Sequence, residues 1–154
     1  MRGHPTHLRV SEMDLKSILN PRAWMIVASV VVVFMLGIGP MMASSGDVVG
    51  MAEDEFGELY TNASDADKET IEESVKMDAY FFGATNVAFT LFILGFAFLT
   101  EGTTRAKSAV FSGLSLILWA IYSQGELDMG ALTFYSAVSA PMIISGALHL
   151  KGDE

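Results

Sequence analysis

Four long stretches without a single formal charge, separated by segments that hold every charged residue, set the pattern of this chain. The stretch 79–100 is 22 residues long, enough for a helix of about 30 Å, the thickness of a bilayer's hydrocarbon core. The stretch 23–43 has similar length; it includes Val30-Val-Val-Val33, a Trp24 placed for the interface and Pro40 near the far end, where water can satisfy a lost backbone bond. The stretch 108–123 is shorter and reaches both interfaces only if flanking Lys107 and Gln124 extend along it. A final stretch, 129–150, contains Pro141. The pattern predicts an all-α integral membrane four-helix bundle, a single domain over 1–154. The seven residues 101–107 cannot recross a bilayer, so 79–100 and 108–123 are expected to form a hairpin.

Between the stretches the charge is uneven. Segment 44–78 carries eleven acids against Lys68 and Lys76, a net charge equal to the −9 of the whole protein. The other segments cancel. An acidic external loop, helical in part, is expected there: Ser64-x-x-Asp67 is a capping signal and Glu72/Lys76 a favourable pair one turn apart. Ile71, Val75 and Asp78 suggest a helix running from about Asp65 directly into the second span. Gly46, Gly50 and Gly57 break up the earlier half, from which Met51, Phe56, Leu59 and Tyr60 are expected to rest on the outside of the bundle. Residues 1–22 form a basic head, expected either as a partly disordered tail or, with Ser11-x-x-Asp14 positioned as its cap, as a short interfacial amphipathic helix that ends before Pro21. This head and the long apolar run after it fit a retained anchor better than a signal peptide cleaved near Ala43-Ser-Ser45.

Lys and Arg favour cytoplasmic segments next to spans. With four spans, the head, the 101–107 turn and the tail share one side and hold seven basic residues, against two in the acidic loop. Both termini are therefore predicted cytoplasmic, and the acidic loop external.

No span holds an Asp, Glu, Lys or Arg in its interior, which argues against a proton relay or voltage sensor in the monomer. Neutral polar and small residues do recur at three- and four-residue spacing. They read Gly83, Asn86, Thr90, Ile93, Ala97 and Thr100 in the second span, then Ser108, Ser112, Ser115, Trp119 and Tyr122 in the third. In the fourth they read Thr133, Ala137, Ala140, Ile144 and Ala147, with Ser136 beside them. Such stripes are expected at helix–helix seams, or lining a polar cavity. The seam or cavity candidates are Gly83, Asn86, Thr90, Ser112, Ser115, Trp119, Tyr122 and Ser136. Asn86 lies well inside a span and must face protein or water. Trp119, Tyr122 and Ser115 are its expected partners across the hairpin, or else a group on the fourth span.

Catalytic chemistry finds little purchase. There is no cysteine, hence no thiolate site or thiol nucleophile. Gly-x-Ser-x-Gly, HExxH and phosphate-loop patterns are missing. His4-Pro-Thr-His7 has metal-like spacing but no third ligand, and His149 sits alone at the end of the last span. Asp65-x-Asp67-x-Glu69 opens like a calcium loop, yet Thr70 and Lys76 stand where Gly and Glu are required. It reads as a solvated helix start, with at most weak, diffuse attraction of divalent cations. No cofactor or metal is expected. Asn62-Ala-Ser64 is a glycosylation sequon in the loop expected outside.

The acidic balance argues against nucleic acid and leaves the bilayer, another membrane protein or a second copy of the chain as partners. The leading expectation is a non-catalytic membrane protein acting by association, as an accessory subunit, assembly factor or receptor-like module, with Glu53, Asp54, Glu55 and Glu58 as its external docking residues. A small oligomeric channel or transporter using the polar seam is the first alternative. A membrane enzyme acting on lipid is the second, with Asp78, Glu101, Glu126 and Asp128 as its only interfacial acids.

Overall fold

The computed structural model describes residues 17–123 and 129–150. The head through Lys16, with His4 and His7, the turn 124–128 with Glu126 and Asp128, and the tail 151–154 lie outside them. Every regular element among the described residues is helical: α1 (Pro21–Val32), a π-helical turn (Val33–Ile38), α2 (Gly39–Ala43), α3 (Val48–Phe56), α4 (Glu58–Thr61), α5 (Asp65–Leu99), α6 (Gly102–Ser123) and α7 (Met129–Leu150). Among the described residues four helices are long and apolar enough to cross a membrane: Pro21–Ala43 taken as one rod, α5, α6 and α7.

Local chemistry explains the helix boundaries. Asn20 starts α1, its side chain accepting from the Arg22 N–H at 2.9 Å with Pro21 in the first helical position, where no donor is lost. Asp47 starts α3 by accepting from the Gly50 N–H at 2.9 Å. Ser64 starts α5 by accepting from the Asp67 N–H at 3.3 Å. At 35 residues, α5 is about 52 Å long. That exceeds a bilayer core by some 20 Å, so the helix is longer than a crossing needs and its charged residues lie in the excess length at its start.

The connection between α5 and α6 is shorter than the pattern of charges implies. Only Thr100 and Glu101 are non-helical, and α6 begins at Gly102, where a φ of +52° reverses the chain at a value costly for any other residue. The third membrane helix is therefore 22 residues, six more than its uncharged run. The uncharged run begins only at Ser108, whereas Thr103, Thr104, Arg105 and Lys107 already form helix ahead of it.

The described residues of Met1–Ser29 and Phe92–Glu154 form one compact unit, and Val30–Leu91 a second. In the first unit α6 and α7 pack antiparallel. A methyl group on Gly146 would meet the Ala106 carbonyl at 2.6 Å, and one on Gly113 would meet Ile143 Cγ1 at 2.6 Å, so glycine lets the two backbones approach. The buried face of α6 is Ala106, Ala109, Ser112, Gly113, Leu116 and Ala120. That of α7 is Tyr135, Ser139, Met142, Ser145 and Gly146.

The second unit has two parts. In its apolar part the π turn lies against α5 at Gly83 and Val87. Pro40 provides the reason for the turn: its ring would collide with the carbonyl four residues back and it has no N–H to donate, and a wider turn just before it moves that carbonyl aside. The extra residue also resets the helix face, so Gly37 is buried while Met35 is 62% exposed. In its charged part α3, α4 and the start of α5 enclose a small core of Ala52, Tyr60 and Val75, with Met51, Phe56 and Ile71 packed around it. The sequence pattern places Met51, Phe56 and Tyr60 on the outside of the bundle. They instead pack on the protruding turns of α5, whose Ile71 and Val75 form the matching apolar stripe. Leu59 stays exposed.

Candidate functional site

The acidic segment is folded around Tyr60. Its ring is buried and its hydroxyl donates to Glu72 Oε1, twelve residues on. The Lys68 ammonium stands 5.6 Å from the ring centroid, a favourable cation–π placement. Glu72 as acceptor, burial of the phenol, and the negative charges of Glu72 and Glu53 push the Tyr60 pKa up to about 12. With α4 pinned in this way, Glu53, Asp54, Glu55 and Glu58 all project into solvent from α3 and α4. Asn62 is exposed at the end of α4. Asp65-x-Asp67-x-Glu69 forms the capped first turns of α5.

Shallow cavities follow the charged turns of α5. One of about 250 Å³ is lined by Ser44, Glu73, Lys76, Met77 and Tyr80. Another of about 220 Å³ is lined by Val48, Glu69, Glu72, Glu73 and Lys76. Among the described residues no three His, Cys, Asp or Glu side chains form a metal-holding group.

In the apolar part of α5, Gly83, Asn86, Thr90, Ile93 and Ala97 are all buried, the face that the three- and four-residue spacing picks out. Asn86 Nδ2 donates to the Phe82 carbonyl at 2.9 Å, and Thr90 Oγ1 donates to the Asn86 carbonyl at 2.7 Å. The hydroxyl of Thr90 thus stays inside its own helix.

On α6 and α7 the structure places the candidates differently. Ser112 is on the buried face and Ser115 is half-buried at its edge. Trp119 is half-buried with Nε1 lacking any hydrogen-bond partner. Tyr122 is 82% exposed, away from the seam. Ser136 is half-buried, while Thr133, Ala137, Ala140, Ile144 and Ala147 all face outward. The buried face of α7 is the other one. An α7 that is apolar all round carries small residues on both sides, and spacing alone does not choose between them.

Three features lie outside those candidates. Tyr60–Glu72 links residues too far apart for helical spacing to reveal. The Gly37–Gly83 approach depends on the π turn, which only Pro40 hinted at. At one end of the first unit the Arg22 guanidinium lies 4.8 Å from the centroid of the Phe98 ring, joining the start of α1 to the end of α5. Comparison with protein-family models, curated proteins and solved structures finds no match to this chain.

Proposed function

We propose that this is a polytopic membrane protein that acts by association, presenting the acidic α3–α4 face outside the cell to a basic partner. The carrying observation is that the carboxylates of Glu53, Asp54, Glu55 and Glu58 stand on helices held by a core and by the Tyr60–Glu72 bond, rather than on a floppy loop. A preorganised array loses less entropy on docking, and its field steers a cationic partner toward it. Neutralising all four residues (Glu→Gln, Asp→Asn) should abolish recovery of a crosslinked partner at low salt while leaving membrane insertion intact. Unchanged recovery would refute docking.

The proposed orientation puts both termini in the cytoplasm within a four-helix bundle. Arg22, Arg105 and Lys107 belong to one end of the first unit, which supports this under the preference of basic residues for the cytoplasmic side. A tag within 50–60 should be reachable only from outside, and terminal tags only from inside.

A second reading, a small oligomeric channel, draws on buried hydroxyls. Ser29, Ser112 and Ser139 are buried with no hydrogen-bond partner, which suits a water-lined seam. Solute flux in proteoliposomes, absent from a Ser112→Ala variant, would favour it over association.

A further inference from the structure

One end of the first unit is basic. Gly146 packs against Ala106 and Val110, and this antiparallel register puts His149, one turn further on, level with Arg105. Arg22 is held over Phe98 at 4.8 Å, which positions its charge without neutralising it, and two residues of connection separate the end of α5 from the start of α6. Lys107 is exposed one residue beyond the buried Ala106. Arg22, Arg105, Lys107 and His149 therefore gather around one end of these helices.

Two donors there are buried and unpartnered: Arg105 Nε, and Nε1 of Trp24, two residues from Arg22. Leaving buried donors unpaired is costly, and native structures rarely do it. The first turn of α6 carries no acid to offset the partial positive charge of its free N–H groups. Among the described residues, Glu101 is the carboxylate nearest to Arg105 in sequence; it is exposed on the turn, and the Arg105 N–H bonds its backbone carbonyl at 3.2 Å. No acceptor for these two donors stands among the described residues, and an anion of the membrane suits this end, where Trp24 and the helix ends place lipid headgroups.

We propose that this end is a binding site for the phosphate group of an anionic membrane lipid. The Arg105 guanidinium holds the phosphate oxygens, with the exposed Lys107 and Arg22 adding positive charge at the same end. Trp24, two residues from Arg22, marks the depth of the interface there. Guanidinium suits this task because its planar donors match two phosphate oxygens at once.

The test uses the full chain purified from vesicles of phosphatidylcholine mixed with phosphatidylglycerol, with native mass spectrometry reading which lipid is retained. The wild-type protein should retain phosphatidylglycerol preferentially. A basic residue near an anionic surface is worth about fivefold, so the double variant Arg105→Gln/Lys107→Gln should lose preference by about 25-fold. Lys76→Gln, on the acidic segment, should keep it. Thermal melting in lipid-free detergent separates lost binding from lost folding. Should the double variant not fold, Arg22→Gln alone is expected to lower the preference about fivefold. Equal retention of both lipids by the wild type, or undiminished preference in folded variants, would overturn the site. Stabilisation of the detergent-solubilised protein by inorganic phosphate as strong as that by phosphatidylglycerol would overturn the assignment to lipid.

Discussion

Gly37 and Gly83 meet backbone to backbone: a methyl group built on Gly83 would sit 2.5 Å from the carbonyl oxygen of Gly37. The approach is close because the π turn pushes Gly37 toward α5, and because neither residue has a side chain to hold the helices apart. Such contacts carry more weight in a bilayer than in water, since lipid is as apolar as leucine and packing, not the hydrophobic effect, joins the helices.

This relationship makes the glycines unequal. On Gly83 a methyl group meets backbone, which cannot give, so Gly83→Ala should cost about 1–3 kcal/mol. On Gly37 the nearest atom is Val87 Cγ2, at 2.7 Å, which can shift. Gly37→Ala also gains helix propensity of about 0.8–1 kcal/mol, so it should be near neutral. Gly95 has nothing within 4 Å, and Gly95→Ala should stabilise slightly. Thermal melting of the three variants in one detergent checks the order; a Gly83→Ala protein as stable as Gly95→Ala would contradict it.

Tyr60 predicts an alkaline transition. The fold favours its neutral form, raising the pKa from 10.0 to about 12. The stabilisation is therefore complete below pH 10 and is lost as the pH rises through 12. Glu72→Gln keeps an acceptor but removes the charge, so the Tyr60 pKa should fall back toward 10. Tyrosinate absorbance during alkaline titration, taken as the difference between each protein and its Tyr60→Phe counterpart, reads this out. An unchanged titration in Glu72→Gln would mean that Glu72 is not the cause.

Asn86 is fully buried in the apolar part of α5. Membrane interhelical hydrogen bonds are modest, and this amide also bonds within its own helix. Asn86→Leu should therefore lower stability by about 0.5–2 kcal/mol if the amide locks the helix register. If it lines a solute path, the same variant would keep its melting temperature and lose flux. Measuring both on one preparation separates the two roles.

The sequence by itself determined where the membrane-length helices lie, because about 20 residues without charge can cross hydrocarbon only as a helix. It also determined that α5 is continuous from Asp65 through the second apolar stretch and which face of it is buried, since Gly83, Asn86 and Thr90 stand out on an otherwise apolar rod. Tertiary structure decided the face of α7, where Tyr135, Ser139 and Met142 are buried while the equally plausible Ala137, Ala140 and Ala147 face outward. Lipid and protein interior are alike apolar, so hydropathy along α7 does not distinguish them. The folding of the acidic segment was likewise decided in three dimensions: Ala52, Tyr60 and Val75 come from separate helices, and only the chain reversal at Gly57 brings Tyr60 back to Glu72. The clustering of Arg22, Arg105 and His149 has the same origin, because it needs the two-residue turn at Thr100-Glu101 and the antiparallel α6–α7 register, neither of which leaves a mark on the hydrophobic pattern.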